Sequence, residues 1–341
     1  MAIKKTTIKD IAEALGVSPA LVSFAVNGRG REHRVSEDMI NKITAKAREM
    51  NYHPNSAAKS LRCGISNTIG VILSDISNRF FADIARCIEN EASRDGITVM
   101  IGSTDEDPVK LESLINVFIN KGVDGLIIVP CEGSEKIIDK LSRTHIPLVL
   151  IDRTYPQYAF NSVTLDNEYA LQLAVKELYG HGYRKIKMVS YYTTISNIVD
   201  RECGYNHTMH ELGLDDYRSI SRVDYNNMKD DLTSIIPEII KSGCDSIVFS
   251  TNRLAIETLV ELGKLGLRVP EDIAIVAFDG SETFAFDLYY TTVSYVKQPI
   301  EKFGLESYSI LRKLIKSTDN IERQQIVLEP TIVSLNSSKR L

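Results

Sequence analysis

TIKDIAEALGVSPALVSFAVNG, Thr7 to Gly28, holds two short helix signals separated by a single turn. Thr7 is a suitable N-cap, and Asp10 places an acid in the first turn, where the helix dipole favours it. Ile8, Ile11, Ala12 and Leu15 fall at the i, i+3, i+4, i+7 spacing of one apolar stripe. Gly16 stops this helix, Val17 is apolar, and Ser18 with Pro19 reads as the N-cap and first position of a second helix. Leu21, Val22 and Val26 form the second stripe, and Asn27-Gly28 ends it. Two short helices joined this way match a helix-turn-helix, whose second helix enters the DNA major groove with its N-terminal residues at the base edges. An ordinary αα-hairpin uses the same turn physics, so the decision rests on the sequence around it.

Charge supplies the first part of that decision. The 341-residue chain carries a net charge of −5, which alone argues against a polyanionic partner. Residues 1–66, however, hold eleven Lys and Arg against six Asp and Glu, a net of +5, and the remainder carries −10. A basic head on an acidic body is the footprint of a protein that meets nucleic acid at one end. The length allows two or three domains, and 43% hydrophobic with 25% charged residues is an ordinary globular balance. No apolar run approaches the roughly 18 residues of a membrane span, and the polar N-terminus lacks a signal-peptide core. The expectation is a cytoplasmic protein with no membrane partner. Cys63, Cys87, Cys131, Cys203 and Cys244 are scattered, odd in number and never paired as CxxC, as expected of reduced thiols.

After the two helices, Arg29, Arg31 and Arg34 with Gly28 and Gly30 suit a loop near phosphates. Ser36 caps a third helix with Met39, Ile43, Ala47 and Met50 on its apolar stripe, completing a small all-α domain. Pro54 disfavours helix at His53 and can begin a short one from Asn55 to Leu61, closed by Gly64. So short a helix is marginal alone and is a candidate for folding on its partner. From Thr68 the pattern changes to apolar runs, TIGVILS, TVMIGS, GLIIVP and PLVLIDR, then IKMVS, SIVFST and IAIVAF, with amphipathic stretches between them. Two such series predict an α/β fold of two lobes with parallel sheets and a boundary near Ser162. A helix from Ile300 to Lys316 and strands from Gln324 to Leu328 and Thr331 to Leu335 follow. Ligands of such sheets sit beyond the carboxyl ends of the strands, here facing a cleft between lobes.

These blocks resemble, in order, those of the LacI/GalR family of transcription regulators, the lac and purine repressor group. TIKDIAEALGVSPALVSFAVNG is similar to the family head and NYHPNSAAKSLR to its hinge. TIGVILSDISNRFFADI, LVLIDR, DRECGY, VPEDIAIVAFD and VKQPIEKFG resemble core blocks, so the likeness covers essentially the whole chain. It implies a helix-turn-helix domain over 1–52, a hinge helix and linker over 53–66, and a type I periplasmic-binding-protein-like core over 67–341. The N-lobe is expected at 67–161 and 296–323, and the C-lobe at 162–293 and 324–341. The implied function is that of a homodimeric repressor without enzyme activity or cofactor. Its affinity for double-stranded operator DNA would be set by a small effector, usually a sugar and sometimes a purine co-repressor.

Position by position, Ser18, Pro19, Ala20 and Ser23 match the family's recognition surface, with Thr7, Asn27, Arg31 and Arg34 beside it. Asn55 and Ala58 match DNA-facing hinge positions, and Leu61 matches the leucine that wedges into the minor groove. Phe24 stands where the family commonly has an arginine that reads guanine; it could meet a thymine methyl or pack inward. In the core, Arg201 matches the effector-clamping arginine, Asp279 the effector-binding acid, Asp152-Arg153 a cleft-lining pair and Asn252 the C-lobe asparagine. An Arg fork and a carboxylate suit vicinal hydroxyls. Phe80, Phe81 and Tyr225 are candidates either to cover an apolar sugar face or to pack in the core. Two departures stand out: Arg253 replaces a frequent Asp, and a family proline is absent near Leu288-Tyr289.

Other classes fit less well. Cys203, His207 and His210 share one helical face, but no fourth ligand is evident and no metal is assigned. No GxGxxG follows a strand, and GxxxxGK[ST] and GxSxG are absent, which argues against an enzyme. An exported sugar-binding protein would share the core without the head.

Overall fold

The computed structural model describes residues 6–52, 64–155, 157–280, 292–317 and 322–340. Asn55, Ala58 and Leu61 of the expected hinge, and Leu288-Tyr289, lie outside them. The chain divides into two compact units, Met1–Ser66 and Asn67–Leu341.

The first unit holds α1 (Ile8–Leu15), α2 (Pro19–Val26) and α3 (Glu37–Glu49). Thr7 and Asp10 cap α1 reciprocally: the Asp10 N–H donates to Thr7 Oγ1 (3.3 Å) and the Thr7 N–H to Asp10 Oδ2 (2.7 Å). Gly16 ends α1 in the left-handed conformation, φ 64°, which a side chain would strain. Ser18 Oγ accepts from Leu21 N–H (3.2 Å), and Pro19, which needs no donor at this position, opens α2. The stripes meet in a core of Ile11, Ala12, Val22, Ala25, Ile43 and Ala47.

The second unit begins with β1 (Thr68–Leu73), α4 (Arg79–Arg94), β2 (Thr98–Ser103), α5 (Pro108–Asn120), β3 (Leu126–Ile128), α6 (Glu135–Ser142), β4 (Leu148–Asp152) and β5 (Ser162–Leu165). It continues with α7 (Asn167–Gly180), β6 (Ile186–Tyr191), α8 (Ser196–Glu211), β7 (Ile220–Val223), α9 (Met228–Lys241), β8 (Ser246–Phe249), α10 (Asn252–Lys264) and β9 (Ala274–Phe278). β10 (Ser294–Lys297), α11 (Ile300–Lys316), β11 (Gln325–Leu328) and β12 (Thr331–Val333) complete it. One six-stranded sheet runs β11-β5-β4-β3-β1-β2 and the other β12-β10-β9-β8-β6-β7. Among the described residues all pairings are parallel except β10 with β12, and helices cover the apolar strands.

The lobe assignments differ from the sequence expectation at three places. Ser162–Leu165 is not the start of the C-lobe: β5 pairs with β4, Leu150 opposite Ser162, and extends the first sheet. Gln325–Leu328 also returns to the first sheet, pairing with β5. Ser294–Lys297, whose last two residues were expected in the N-lobe, pairs with β9 of the second sheet. The chain therefore crosses between lobes near 166, 298 and 329. An apolar run signals a strand but not its partner; long-range register supplies that. Two further elements begin where the pattern was silent: α8 starts at Ser196, ahead of Arg201, and β7 is a short edge strand interrupted by Ser221 and Arg222.

Candidate DNA-binding and effector sites

On the first unit, Ser18, Pro19 and Ala20 are exposed at the start of α2, while Val22 and Ala25 turn inward. Ser23 and Asn27 lie on the outer side and bond to each other, Asn27 Nδ2 donating to Ser23 O (2.7 Å) and Oγ (3.3 Å). Thr7 caps the start of α1. Phe24 is absent from the apolar core and does not pack inward; its ring stacks on exposed His33. Arg31 pairs with Glu37, and Arg29 with Glu32 (2.9 Å), in exposed contacts that contribute little to stability and can be exchanged for phosphates. Arg34 is exposed at the loop's end, with φ 56°.

In the second unit, Asp152 ends β4 and Asp279 follows β9, so each lobe presents one acid at the carboxyl end of a central strand. Both are left-handed, φ 66° and 62°, a conformation unusual outside glycine that tertiary contacts must hold. Asp152 Oδ2 accepts from Asn197 Nδ2 of the other lobe (3.0 Å) and lies 3.3 Å from Arg153 Nε. Arg153 is gripped bidentately by Glu106, both contacts 2.8 Å, and donates to Pro130 O (3.0 Å). Burial opposes the Arg153 charge, but Glu106 outweighs it and raises its pKa.

Arg201 is buried on α8. Its Nε donates to Asn167 Oδ1 (2.8 Å), its Nη1 to Ser250 O (2.7 Å), and its guanidinium lies 3.6 Å from the Phe278 ring centroid. Gly204 makes this reach possible, since a Cβ there would stand 2.2 Å from Glu168 O on α7. Burial lowers the Arg201 pKa to about 10, although Asp152 and Asp279 oppose the shift. Burial likewise pushes Asp279 up to about 6 against the attraction of Arg201 and a hydrogen bond from Gln298 Nε2 (2.8 Å). Asn197 Oδ1 and Gln298 Oε1 are buried without hydrogen-bond partners among the described residues. A cavity of about 190 Å³ opens beside Arg153, lined by Glu132 and Tyr155 from one lobe and Thr194, Ile195 and Ser196 from the other.

Two family models match this chain. One described as "Bacterial regulatory proteins, lacI family" covers residues 7–55, and one described as "Periplasmic binding proteins and sugar binding domain of LacI family" covers 66–333. The chain belongs to the LacI family. Relatives within it include the HTH-type transcriptional repressor PurR of Vibrio atlanticus, 27% identical over 98% of this chain and 99% of that protein. The HTH-type transcriptional regulator KdgR of Bacillus subtilis is 27% identical over 97% of each chain. The fold matches the crystal structure of the lac repressor dimer bound to operator and the anti-inducer ONPF, with a TM-score of 0.85 at 22% identity, covering 99% of this chain and 100% of that one. As a LacI-family member the protein is a transcriptional regulator, with a DNA-binding head and an effector-binding core, and not an enzyme. LacI-family regulators bind operator DNA and small-molecule effectors.

Among the residues singled out in this LacI-family sequence, Asp152, Arg153, Arg201 and Asp279 form one connected electrostatic cluster. Asn252 begins α10 and Arg253 follows it, the guanidinium 5.1 Å from the Tyr225 ring, which lies 5.5 Å from Tyr191. Phe80 and Phe81 are not open aromatic covers: they pack edge-on against each other (5.0 Å), and Phe80 against Phe303 (5.6 Å), in the core. Reading the sequence overlooked Asn167, Asn197, Gln298, Glu106 and Glu132. Only Gln298 lay within a quoted block; the others carry no local pattern and converge through the fold. His207 and His210 pair with Glu211 (3.4 Å) and Asp215 (2.8 Å). Among the described residues no group of three or more His, Cys, Asp or Glu is placed to hold a metal, and no helix is long and apolar enough to cross a membrane.

Proposed function

We propose that the protein is a homodimeric repressor that places α2 in the operator major groove and takes a neutral, polyhydroxylated effector, a sugar or sugar derivative, between its lobes. The observation that carries the effector class is the buried set Asp152, Asn197, Arg201 and Gln298 with half-buried Asp279, drawn from both lobes with two amide oxygens unsatisfied. Buried polar groups need partners, and hydroxyls can donate to the amide and carboxylate oxygens while accepting from a guanidinium. Arg153 is already held by Glu106, and Arg201 spends Nε and Nη1 on Asn167 and Ser250, which leaves Nη2 to donate to a hydroxyl and no free guanidinium fork for a phosphate. The sugar-binding description of the family core supports the same reading.

A thermal-shift panel of mono- and disaccharides, uronates and nucleobases on the full-length protein tests it. A ligand at a hundredfold excess over its Kd adds about 2.7 kcal/mol of stability. A sugar is expected to raise Tm in the wild type and not in Arg201→Ala, and to change operator retention in a gel shift. A response to nucleobases alone, or an undiminished sugar response in Arg201→Ala, would overturn the assignment.

A further inference from the structure

Phe24 shares the outer face of α2 with Ala20, Ser23 and Asn27, the side opposite Val22 and Ala25. The exposed side chains that precede it on this face, Ser18 and Ala20, are short. The Phe24 ring is stacked by His33, with centroids 3.6 Å apart and planes 15° from parallel. Backbone bonds fold the loop back to bring His33 there: Arg29 N–H donates to Phe24 O (2.9 Å), His33 N–H to Arg29 O (3.2 Å) and Val35 N–H to Gly30 O (2.9 Å). Gly30 tightens the turn, because a Cβ there would stand 2.7 Å from the Ile40 side chain. The imidazole is therefore positioned by backbone geometry on one side and by an aromatic face on the other. Face-to-face stacking consumes the ring face and leaves the ring edge, with both nitrogens, to solvent. Those nitrogens make no hydrogen bond within the described residues.

We infer that His33, held in place by Phe24, is a base-reading residue of the operator interface. Its imidazole N–H donates to an acceptor on a purine edge in the major groove, guanine O6 or N7 or adenine N7. Phe24 is the positioning residue and makes no polar contact itself. This rests on α2 being the recognition helix. A loop histidine locked beside that helix supplies a polar reach that Ser18, Ala20 and Ser23 lack. Sequence alone left Phe24 between a thymine contact and the core; the stack gives it a third role.

The test selects binding sites from a randomised duplex pool with the full-length protein, then measures affinities for the consensus and its single-base variants at two salt concentrations. Wild type is expected to require a purine at one position in each half-site. His33→Ala should lose about 5- to 100-fold for the consensus and almost nothing for duplexes substituted at that position. His33→Gln, which keeps a donor, should recover part of the preference. Phe24→Tyr should keep it, and Phe24→Leu should weaken it at the same position. Uniform weakening of every duplex by His33→Ala, with a shallower salt slope, would mark a phosphate contact and overturn the inference, as would no change at all. A wild type that selects no sequence would overturn the DNA reading of α2 together with it.

Discussion

Asp279 is ionised at a cost. Its pKa stands near 6 because burial outweighs Arg201 and Gln298, so the folded state holds the proton more tightly than the unfolded chain does. The sign follows from linkage: the penalty is fully present above about pH 6 and fades as pH falls towards the ordinary carboxylate value. Asp279→Asn preserves an acceptor for Gln298 and removes the charge. At pH 7 it should stabilise the ligand-free protein by on the order of 1–3 kcal/mol, an increase of a few degrees in Tm. The gap from wild type should shrink between pH 6 and pH 4.5, and effector affinity should fall at neutral pH. Differential scanning calorimetry across that range, with and without effector, measures both. An Asn variant no more stable than wild type at pH 7 would mean that Arg201 compensates the buried carboxylate fully. A destabilised charge kept at the end of β9, in a strained backbone conformation, is the pattern of a site maintained for binding.

At the scale of elements, β2 is the edge of the first sheet and α5 lies beside it. Ile101 on β2 is exposed, as are Val109, Val117 and Ile119 on α5, with Val109 at 75%. Sheet edges with exposed apolar side chains invite pairing, and a self-complementary patch closes as a two-fold dimer. In the homodimer proposed above, the expected contact covers Ile101, Val109 and Val117. Val109→Asp with Val117→Asp should give a monomer by analytical ultracentrifugation and weaken operator binding at least tenfold, since two heads would no longer act together. Sugar binding should survive, because the cleft lies at the strand ends. A double variant that remains dimeric would move the contact elsewhere.

For the core as a whole, one apolar cluster runs through both lobes, and polar contacts join them at the strand ends. Glu132, after β3, accepts from Thr193 Oγ1 (3.0 Å), Thr194 N–H (2.9 Å) and Thr194 Oγ1 (2.6 Å), after β6 of the other lobe. Burial would raise the Glu132 pKa, but these donors win and lower it. The contact is therefore at full strength at neutral pH and weakens only as pH falls through that depressed value. Glu132→Ala should shift the lobes away from the arrangement described here and raise the apparent effector Kd about 2- to 10-fold, through the smaller competent fraction. Glu132→Gln, which keeps one acceptor, should fall between. Isothermal titration calorimetry reads the difference, and an unchanged Kd would leave the contact without a role in effector binding.

The sequence by itself determined what is local. Thr7, Gly16, Ser18 and Pro19 set helix ends through nearest-neighbour hydrogen bonds, and the stripes around Ile11, Val22 and Ile43 fixed which faces meet. The strands and helices of the two lobes were legible because burial on both faces leaves uninterrupted apolar runs. Asp152, Arg153, Arg201 and Asp279 were legible through the resemblance. Only the tertiary structure decided which sheet received Ser162–Leu165, Ser294–Lys297 and Gln325–Leu328, because pairings such as Leu328 with Leu165 join residues remote in sequence. It also turned Phe80 and Phe81 into the core, set Phe24 outward against His33, and brought Asn197 to Asp152 across the lobes. Periodicity records whether a side chain is buried. What it meets depends on packing between distant segments, which no local pattern encodes.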